Sequence, residues 1–361
     1  MTPGDTCTSQ AARMSVAVLL LFAAAAHSVS AEDLVDRKGA KAALRGEISG
    51  STRTELTLKS PNRPDVKIPA NEIVRVRFGG EKPQLLQVRS AESTGSYRKA
   101  LEGYLSAARE VSAAQANLKT DLEFLIARTT AKLAAEEPAL AADAAKKLDE
   151  FLKAHPENFR YYEAVLLLGN VHLAGKNGAA ARAAFQQLSQ APWDDYRLAA
   201  RNAAGRLLLA EDKVDEALRE FEAVLASTSS EKVSAAARHE ASMGKATCLE
   251  RKKDFAQAAQ VYEQILEDAV EEDTALQAEV SVRLGSCLQA AGKTREAILA
   301  YLRVDLLFSK EQRWRPEALY HLSQLWERDS KPDRAAAAAT ALQTDYPNSD
   351  WAKKLALAPA K

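Results

Sequence analysis

The sequence has no excess of charge of either sign. Its 361 residues include 49 lysines and arginines and 49 aspartates and glutamates. Proteins that bind nucleic acid usually carry a basic surplus that is concentrated on one surface. The balanced charge therefore argues against a nucleic-acid partner, and we predict none. Hydrophobic residues make up 47% of the chain, a fraction typical of a folded globular protein and not of a disordered chain.

Residues that hold metals or act as nucleophiles are few and scattered. The cysteines and histidines that follow residue 31 do not lie at the spacing of zinc ligands. Gly292-Lys-Thr294 shares its residue types with a phosphate-binding loop, but Cys287 replaces the glycine that such a loop needs five positions earlier. No serine lies in a Gly-x-Ser-x-Gly elbow. We predict no enzyme activity, no metal, no cofactor and no small-molecule substrate.

Long apolar runs are also missing, apart from one near the start of the chain. Val16–Ala26 contains 11 apolar residues, too few to span a bilayer as a helix. A basic residue precedes this run and Val29-Ser-Ala31 follows it, which is the pattern of a cleaved secretory signal. We predict cleavage after Ala31 and an exported, periplasmic protein. The alternative is an uncleaved segment that associates with a membrane, and either Met1 or Met14 is the first residue.

Residues 33–80 show the alternation of apolar and polar side chains that is typical of β-strands. Leu56 and Leu58 alternate with polar neighbours, and so do Val74, Val76 and Phe78, which we expect on one buried face. Turn residues separate four or five such strands. The stretches at 46–49 and 68–74 resemble SH3-like and Sm-like modules, which implies a small closed barrel. A module of this size is marginally stable alone, so we expect it to be stabilised by packing against the helices.

The remainder of the chain repeats one helical pattern. A small marker residue is followed 12 positions later by an alanine and, four positions further, usually by a large apolar residue. Residues four apart share one helix face, so this spacing predicts two helices packed as a hairpin. Five segments keep the pattern, and a sixth keeps its spacing with weaker residue types: Gly169/Ala181/Phe185, Gly205/Ala217/Phe221, Ala246/Ala258/Tyr262, Gly285/Ala297/Tyr301, Ser323/Ala335/Ala339 and, more weakly, Lys132/Ala144/Leu148.

This pattern resembles the tetratricopeptide-repeat (TPR) family, whose repeats of about 34 residues carry such signature positions and often a closing proline. Pro156 and Pro347 lie at that closing position. The resemblance implies a mainly α fold, an α-α superhelix of about six hairpins preceded by a small all-β, barrel-like module. We predict the following organisation: a signal peptide at 1–31, the β module at 32–82, a connector at 83–95, the TPR domain at 96–348, and a capping helix and tail at 349–361.

The two cysteines of the repeats are predicted to remain unpaired. Cys248 and Cys287 each lie two residues after the marker residue of consecutive repeats. Equivalent positions in stacked repeats differ by roughly the 8–10 Å between packed helices. A disulfide tolerates a Cα separation of only about 7 Å. We therefore expect two buried free thiols.

The resemblance also implies a concave surface, lined by the first helix of each hairpin, that binds peptides. Counting from the marker residues, the expected groove positions carry amides, one arginine and scattered apolar groups, a mixture suited to an extended peptide. Leu166 replaces a lysine with which some TPR domains grip a C-terminal carboxylate, so that mode is not expected. The candidate groove residues are Asn170, Asn202, Arg206, Met243, Gln289, Tyr320 and Gln324.

We therefore expect a non-enzymatic periplasmic scaffold or adaptor for a protein or peptide partner, as a member of an envelope complex. Two alternatives remain open on the sequence alone. One is a cell-wall or polysaccharide-binding protein that acts through the β module. The other is a regulatory subunit of an envelope enzyme.

Overall fold

The computed structural model describes residues 32–60, 63–227, 231–270 and 273–357. The predicted signal peptide, its cleavage site and the choice of first residue lie outside these ranges. Five antiparallel strands come first, in the spatial order β4-β3-β2-β1-β5. The strands are β1 Asp33–Arg37, β2 Leu44–Ser51, β3 Glu55–Lys59, β4 Val66–Pro69 and β5 Ile73–Arg77.

The sheet is not closed, so the predicted closed barrel is wrong. Strands β4 and β5 form its two edges and are joined by a short 3-10 turn, Ala70–Glu72, without pairing with each other. Helices pack against the open sheet and complete its hydrophobic core, where a closed barrel would use pairing between its first and last strands. Val35 and Val76 of the sheet belong to the same buried cluster as Leu118 and Leu122 of a helix. The expectation that the β module packs against the helices is therefore confirmed.

One predicted inward-facing residue of the sheet points to solvent. Val74 is 55% exposed, whereas Ile73, Val76 and Phe78 are buried. The pairing of β5 with β1 shifts register between Asp36 and Arg37, and this bulge breaks the strict two-residue alternation. The sequence pattern does not reveal where such a bulge occurs, which is why the prediction for Val74 was wrong.

Fifteen α-helices follow within the described ranges. Their bounds are α1 Gln84–Ser93, α2 Tyr97–Glu110, α3 Ala116–Glu136, α4 Ala141–Ala154, α5 Tyr161–Ala174, α6 Gly178–Leu188, α7 Asp194–Ala210, α8 Val214–Leu225, α9 Glu231–Arg251, α10 Phe255–Asp268, α11 Thr274–Ala290, α12 Thr294–Leu307, α13 Arg315–Arg328, α14 Pro332–Asp345 and α15 Asp350–Ala356. They form a solenoid, as predicted. The six predicted hairpins run from α3/α4 to α13/α14, and α1 packs against α2 ahead of them.

The predicted contact between the two helices is present in the three hairpins whose marker residue is glycine. A methyl group added to Gly285 would lie 2.8 Å from the Tyr301 ring. The same addition at Gly169 would lie 2.3 Å from Phe185, and at Gly205 2.7 Å from Phe221. These separations are shorter than any van der Waals contact, so only glycine allows the aromatic ring of the second helix to rest against the first.

The turns of five hairpins share one helix-ending geometry. One residue of each turn adopts the left-handed conformation, with φ between 57° and 76°. The next N–H donates to the carbonyl oxygen five residues earlier at 2.8–2.9 Å, which is the Schellman arrangement. Gly292 occupies one of these left-handed positions. Gly292-Lys-Thr294 is therefore part of the turn between α11 and α12 and not a phosphate-binding loop.

Polar contacts join the sheet and its adjoining turns to two successive hairpins, α5/α6 and α7/α8. The Arg53 guanidinium lies 4.1 Å from the ring centroid of Tyr161 at the start of α5. The Oδ2 atom of Asp195, in the first turn of α7, accepts from Lys38 Nζ at 3.1 Å and from Asn71 Nδ2 at 3.2 Å. Together with the shared apolar cluster on α3, these contacts join the sheet and the first part of the solenoid.

The last helix covers the end of the solenoid. Ser349 caps α15, because its Oγ accepts from the backbone N–H of Ala352 at 3.1 Å. Trp351 of α15 packs against Tyr320 of α13, with ring centroids 5.1 Å apart. The exposed end of the last hairpin is thereby shielded from water.

Cys248 and Cys287 are free and buried, which confirms the prediction of unpaired thiols. Burial raises the pKa of Cys248 to about 11 and that of Cys287 to about 12. Because the thiolate is the reactive form, we expect maleimide to label neither cysteine in the native protein at pH 7. Both should be labelled in denaturant without reductant, as measured by peptide mass spectrometry. Native labelling, or labelling that requires a reductant, would contradict this assignment.

Candidate functional site

The first helices of the hairpins form the inner layer of the solenoid. α3 contacts α5, α5 contacts α7, α7 contacts α9, and α11 contacts α13. Contacts between successive second helices are sparser in the described part of the chain. Closer spacing on one side is the arrangement that a concave inner surface requires. We call the surface formed by α5, α7, α9, α11 and α13 the groove.

At the N-terminal end of the groove, polar residues bind one another across three helices. Arg206 of α7 donates through Nη2 to Asn170 Oδ1 of α5 at 2.8 Å. Arg206 also forms an ion pair with Glu240 of α9. The structure thus brings the predicted residues Asn170 and Arg206 together, and both keep part of their surface exposed.

Asn202 was predicted to face a partner, but its side chain is completely buried. Its Nδ2 donates to the backbone oxygen of Ala237 at 2.8 Å and lies 3.4 Å from Glu240 Oε2. Asn202 therefore ties α7 to α9. It is not available to a ligand unless these helices separate.

The remaining predicted groove residues lie toward the C-terminal end. Met243, Gln289, Tyr320 and Gln324 are all partly exposed, on α9, α11 and α13. The Oε1 atom of Gln289 is buried and accepts no hydrogen bond from the described residues. Tyr320 packs on Trp351 and is therefore the most constrained of the four. The structure places these residues in one half of the groove, separate from the Asn170–Arg206 contact.

A cavity in this half of the groove was not predicted. It has a volume of about 330 Å³ and lies between α9, α11 and α13. We call it the Glu317 cavity; its lining residues are Glu250, Phe255, Arg283, Ser286, Cys287, Trp314 and Glu317. The sequence contains one signal for it. Glu317 lies six residues before the marker Ser323, the same offset that separates Glu279 from Gly285.

The carboxylates of the Glu317 cavity differ in their partners. Glu250 Oε1 accepts from Tyr262 Oη at 3.1 Å and from Cys287 Sγ at 3.4 Å. Arg283 lies 4.0 Å from Glu250 Oε2. Glu317 has no hydrogen bond or ion pair with a described residue, and burial raises the pKa of its carboxyl above the ordinary value.

A second charged cluster lies near the sheet. Glu92 of α1 accepts two hydrogen bonds from Arg128 at 2.8 Å, one from Lys132 at 2.9 Å and one from Tyr104 Oη at 2.9 Å. Burial alone would raise the pKa of Glu92, but Arg128 and Lys132 outweigh it and lower that pKa to about 2. Because Glu92 uses all its acceptor capacity on α2 and α3, this cluster joins helices and offers little to a ligand.

Two histidines, His321 and His155, contact neighbouring side chains of the solenoid. His321 stacks on Tyr301 with ring centroids 4.9 Å apart, and burial lowers its pKa to about 4. His155 lies 2.7 Å from Glu123. The described residues contain no group of three or more metal-ligating side chains. None of the helices in the described ranges is long and apolar enough to cross a membrane.

Comparisons with known proteins agree with this geometry. Residues 139–196 and 202–274 match one family model and residues 317–349 match another, both described as Tetratricopeptide repeat. The chain therefore carries tetratricopeptide repeats in a helical solenoid, a fold that supports protein–protein interaction. No curated protein matches the chain.

Solved structures with the same kind of fold are distant in sequence. The apo form of RapI is 12% identical, with 76% of this chain and 78% of RapI covered and a TM-score of 0.53. PilF of Pseudomonas aeruginosa is 18% identical, with 64% and 96% covered and a TM-score of 0.46. PilW, a type IV pilus biogenesis factor, is 17% identical, with 64% and 98% covered and a TM-score of 0.49. At these identities the likeness concerns the fold alone.

Proposed function

We propose that this protein is a non-enzymatic adaptor that holds an extended segment of a partner protein in the groove. The observation that carries the proposal is the C-terminal half of the groove. There, Met243, Gln289 and Gln324 are partly exposed on α9, α11 and α13, the helices that also contribute residues to a cavity of about 330 Å³. Amides can bind the backbone of an extended peptide in any sequence, and methionine adapts to varied apolar side chains.

The Asn170–Arg206–Glu240 contact supports a different role for the N-terminal half. Arg206 of α7 forms a hydrogen bond with Asn170 of α5 and an ion pair with Glu240 of α9. A ligand would have to replace an existing hydrogen bond and an existing ion pair to bind there. We therefore place the partner site on α9, α11 and α13, and treat Arg206 and Asn202 as residues that fix the curvature of the groove.

We further propose that the adaptor is exported and works in the periplasm within an envelope complex. The support is the apolar stretch Val16–Ala26 and the small residues that precede Glu32.

Photo-crosslinking in intact cells tests the site. A photo-crosslinking residue introduced at Gln289 or Gln324 should capture the same partner protein. The matched positions Leu299 and Leu306 lie on α12 in the outer layer and are 66% and 69% exposed; a crosslinker there should capture little of that partner. The double variant Gln289→Ala, Gln324→Ala should bind the purified partner about tenfold more weakly at unchanged melting temperature. Capture that is confined to α12 or to the sheet would refute the groove as the binding site.

A further inference from the structure

One glutamate recurs at the same position of four first helices. Glu163, Glu240, Glu279 and Glu317 each lie six residues before the marker residue of their repeat. Glu163 lies 3.3 Å from Arg128 and 3.1 Å from Arg160. The four glutamates therefore form a row along the groove. The negative charge of the first member, Glu163, is balanced by two arginines.

The number of arginines that pair with these glutamates decreases toward the C-terminal end of the row. Glu240 shares Arg206 with Asn170. Glu279 lies 3.9 Å from Arg283, the same arginine that lies 4.0 Å from Glu250. Glu317 has no partner of either kind among the described residues. Arg283 is thus shared by two carboxylates of the C-terminal groove, Glu250 and Glu279.

The surroundings of Glu317 make its isolation costly. Arg283 and Lys354 both favour its charged form, but burial outweighs them. Glu317 is partly desolvated and forms no ion pair with a described residue, so a cationic ligand would stabilise its charged form. The walls of the Glu317 cavity also include Trp314 and Phe255, and aromatic faces attract cations. An anion placed here would meet two carboxylates, Glu250 and Glu317, and one cation of the cavity wall, Arg283.

We propose that the Glu317 cavity receives a lysine or arginine side chain of the extended segment that binds in the groove. This inference rests on the proposed adaptor function and deepens it, because it specifies a basic partner segment. Glu317 and Glu250 bind the cationic group, and Trp314 and Phe255 pack against its aliphatic stem. Glu279, further along the row, attracts neighbouring basic residues of the same segment.

Three labelled peptides of nine residues test the charge preference by fluorescence anisotropy on the full chain. They alternate alanine with lysine, with glutamine or with glutamate. The lysine peptide should bind at least tenfold more tightly than the glutamine peptide, the glutamate peptide should bind most weakly, and salt should weaken only the lysine peptide. Equal binding of all three, no binding of any, or a preference for glutamate would overturn the proposal.

Glu317→Gln should reduce binding of the lysine peptide about fivefold to tenfold without changing that of the glutamine peptide. Its melting temperature should be unchanged or higher, because the variant removes an uncompensated charge. The matched control is Glu327→Gln, which makes the same charge change at an exposed position of the same helix; binding should change less than twofold. Equal effects of the two variants would refute a specific role for Glu317.

The outcome separates this inference from the adaptor function. If Gln289 and Gln324 crosslink a partner but Glu317→Gln leaves binding of the lysine peptide unchanged, the groove is the site and the basic-residue inference is wrong. If no partner crosslinks in the groove but Glu317→Gln abolishes the lysine preference, the adaptor function is wrong and the cavity still binds cationic side chains.

Discussion

Replacing Glu92 with glutamine is expected to lower the free energy of unfolding by about 3–5 kcal/mol, the usual cost of removing one partner from a buried ion pair. Glu92 is almost completely buried and joins α1 to Tyr104 of α2 and to Arg128 and Lys132 of α3. Glutamine has nearly the same shape, but its NH2 group is a hydrogen-bond donor. It would face the donor groups of Tyr104, Arg128 and Lys132, which now bind the carboxylate. Among the described residues, Arg128 would keep one ion pair, with Glu163 at 3.3 Å.

Urea denaturation at pH 7 measures this loss, and Glu137→Gln is the matched control. Glu137 pairs with Arg98 at the surface, where an ion pair contributes at most about 1 kcal/mol. A loss for Glu92→Gln as small as that of the control would refute the role of Glu92 in joining these helices.

The pH dependence of the same pair of proteins gives a second measurement. The pKa of Glu92 is lowered in the folded state to about 2, from an ordinary value of 4.5. The unfolded chain therefore binds the proton more readily, and the stabilisation by Glu92 is complete above pH 4.5 and is lost as the pH falls from 4.5 toward 2. The difference in stability between wild type and Glu92→Gln should be constant from pH 7 to 5 and shrink below pH 4.5. A difference in stability that stays constant below pH 4.5 would contradict the lowered pKa of Glu92.

Replacing Gly285 with leucine should lower the free energy of unfolding by about 1–3 kcal/mol, because overpacking a close helix contact is costly. The new Cβ atom alone would lie 2.8 Å from the Tyr301 ring, so α11 and α12 must move apart. This loss persists although leucine favours helix by about 0.8 kcal/mol more than glycine does.

The matched control for Gly285→Leu is Ala290→Leu, which adds the same side chain at an exposed position of α11. The control should change stability by less than about 0.5 kcal/mol. Hydrogen exchange should show the damage at residues 246–335, since a repeat contacts chiefly its neighbours. Unchanged exchange there, or equal losses in both variants, would contradict the close packing of Gly285 on Tyr301.

The repeats could be predicted from the sequence because their determinants are local. The 12-residue and 4-residue spacings place Gly285, Ala297 and Tyr301 within one hairpin, where a short turn leaves little freedom in how two helices pack. The serine cap of α15 and the turn at Gly292 are equally local. Such features depend on a few neighbouring residues, and each is present where the sequence indicated.

Only the tertiary structure decided how distant segments complete one another. The sheet stays open because α3, which begins 65 residues after β2 ends, supplies the rest of its core. Asn202 is buried because α9 packs over it, which no spacing within α7 reveals. The glutamate row was visible in the sequence, but which members are compensated depends on arginines of neighbouring helices. Local sequence thus determined the helices and their pairing, whereas burial and charge compensation depend on contacts between residues far apart in the chain.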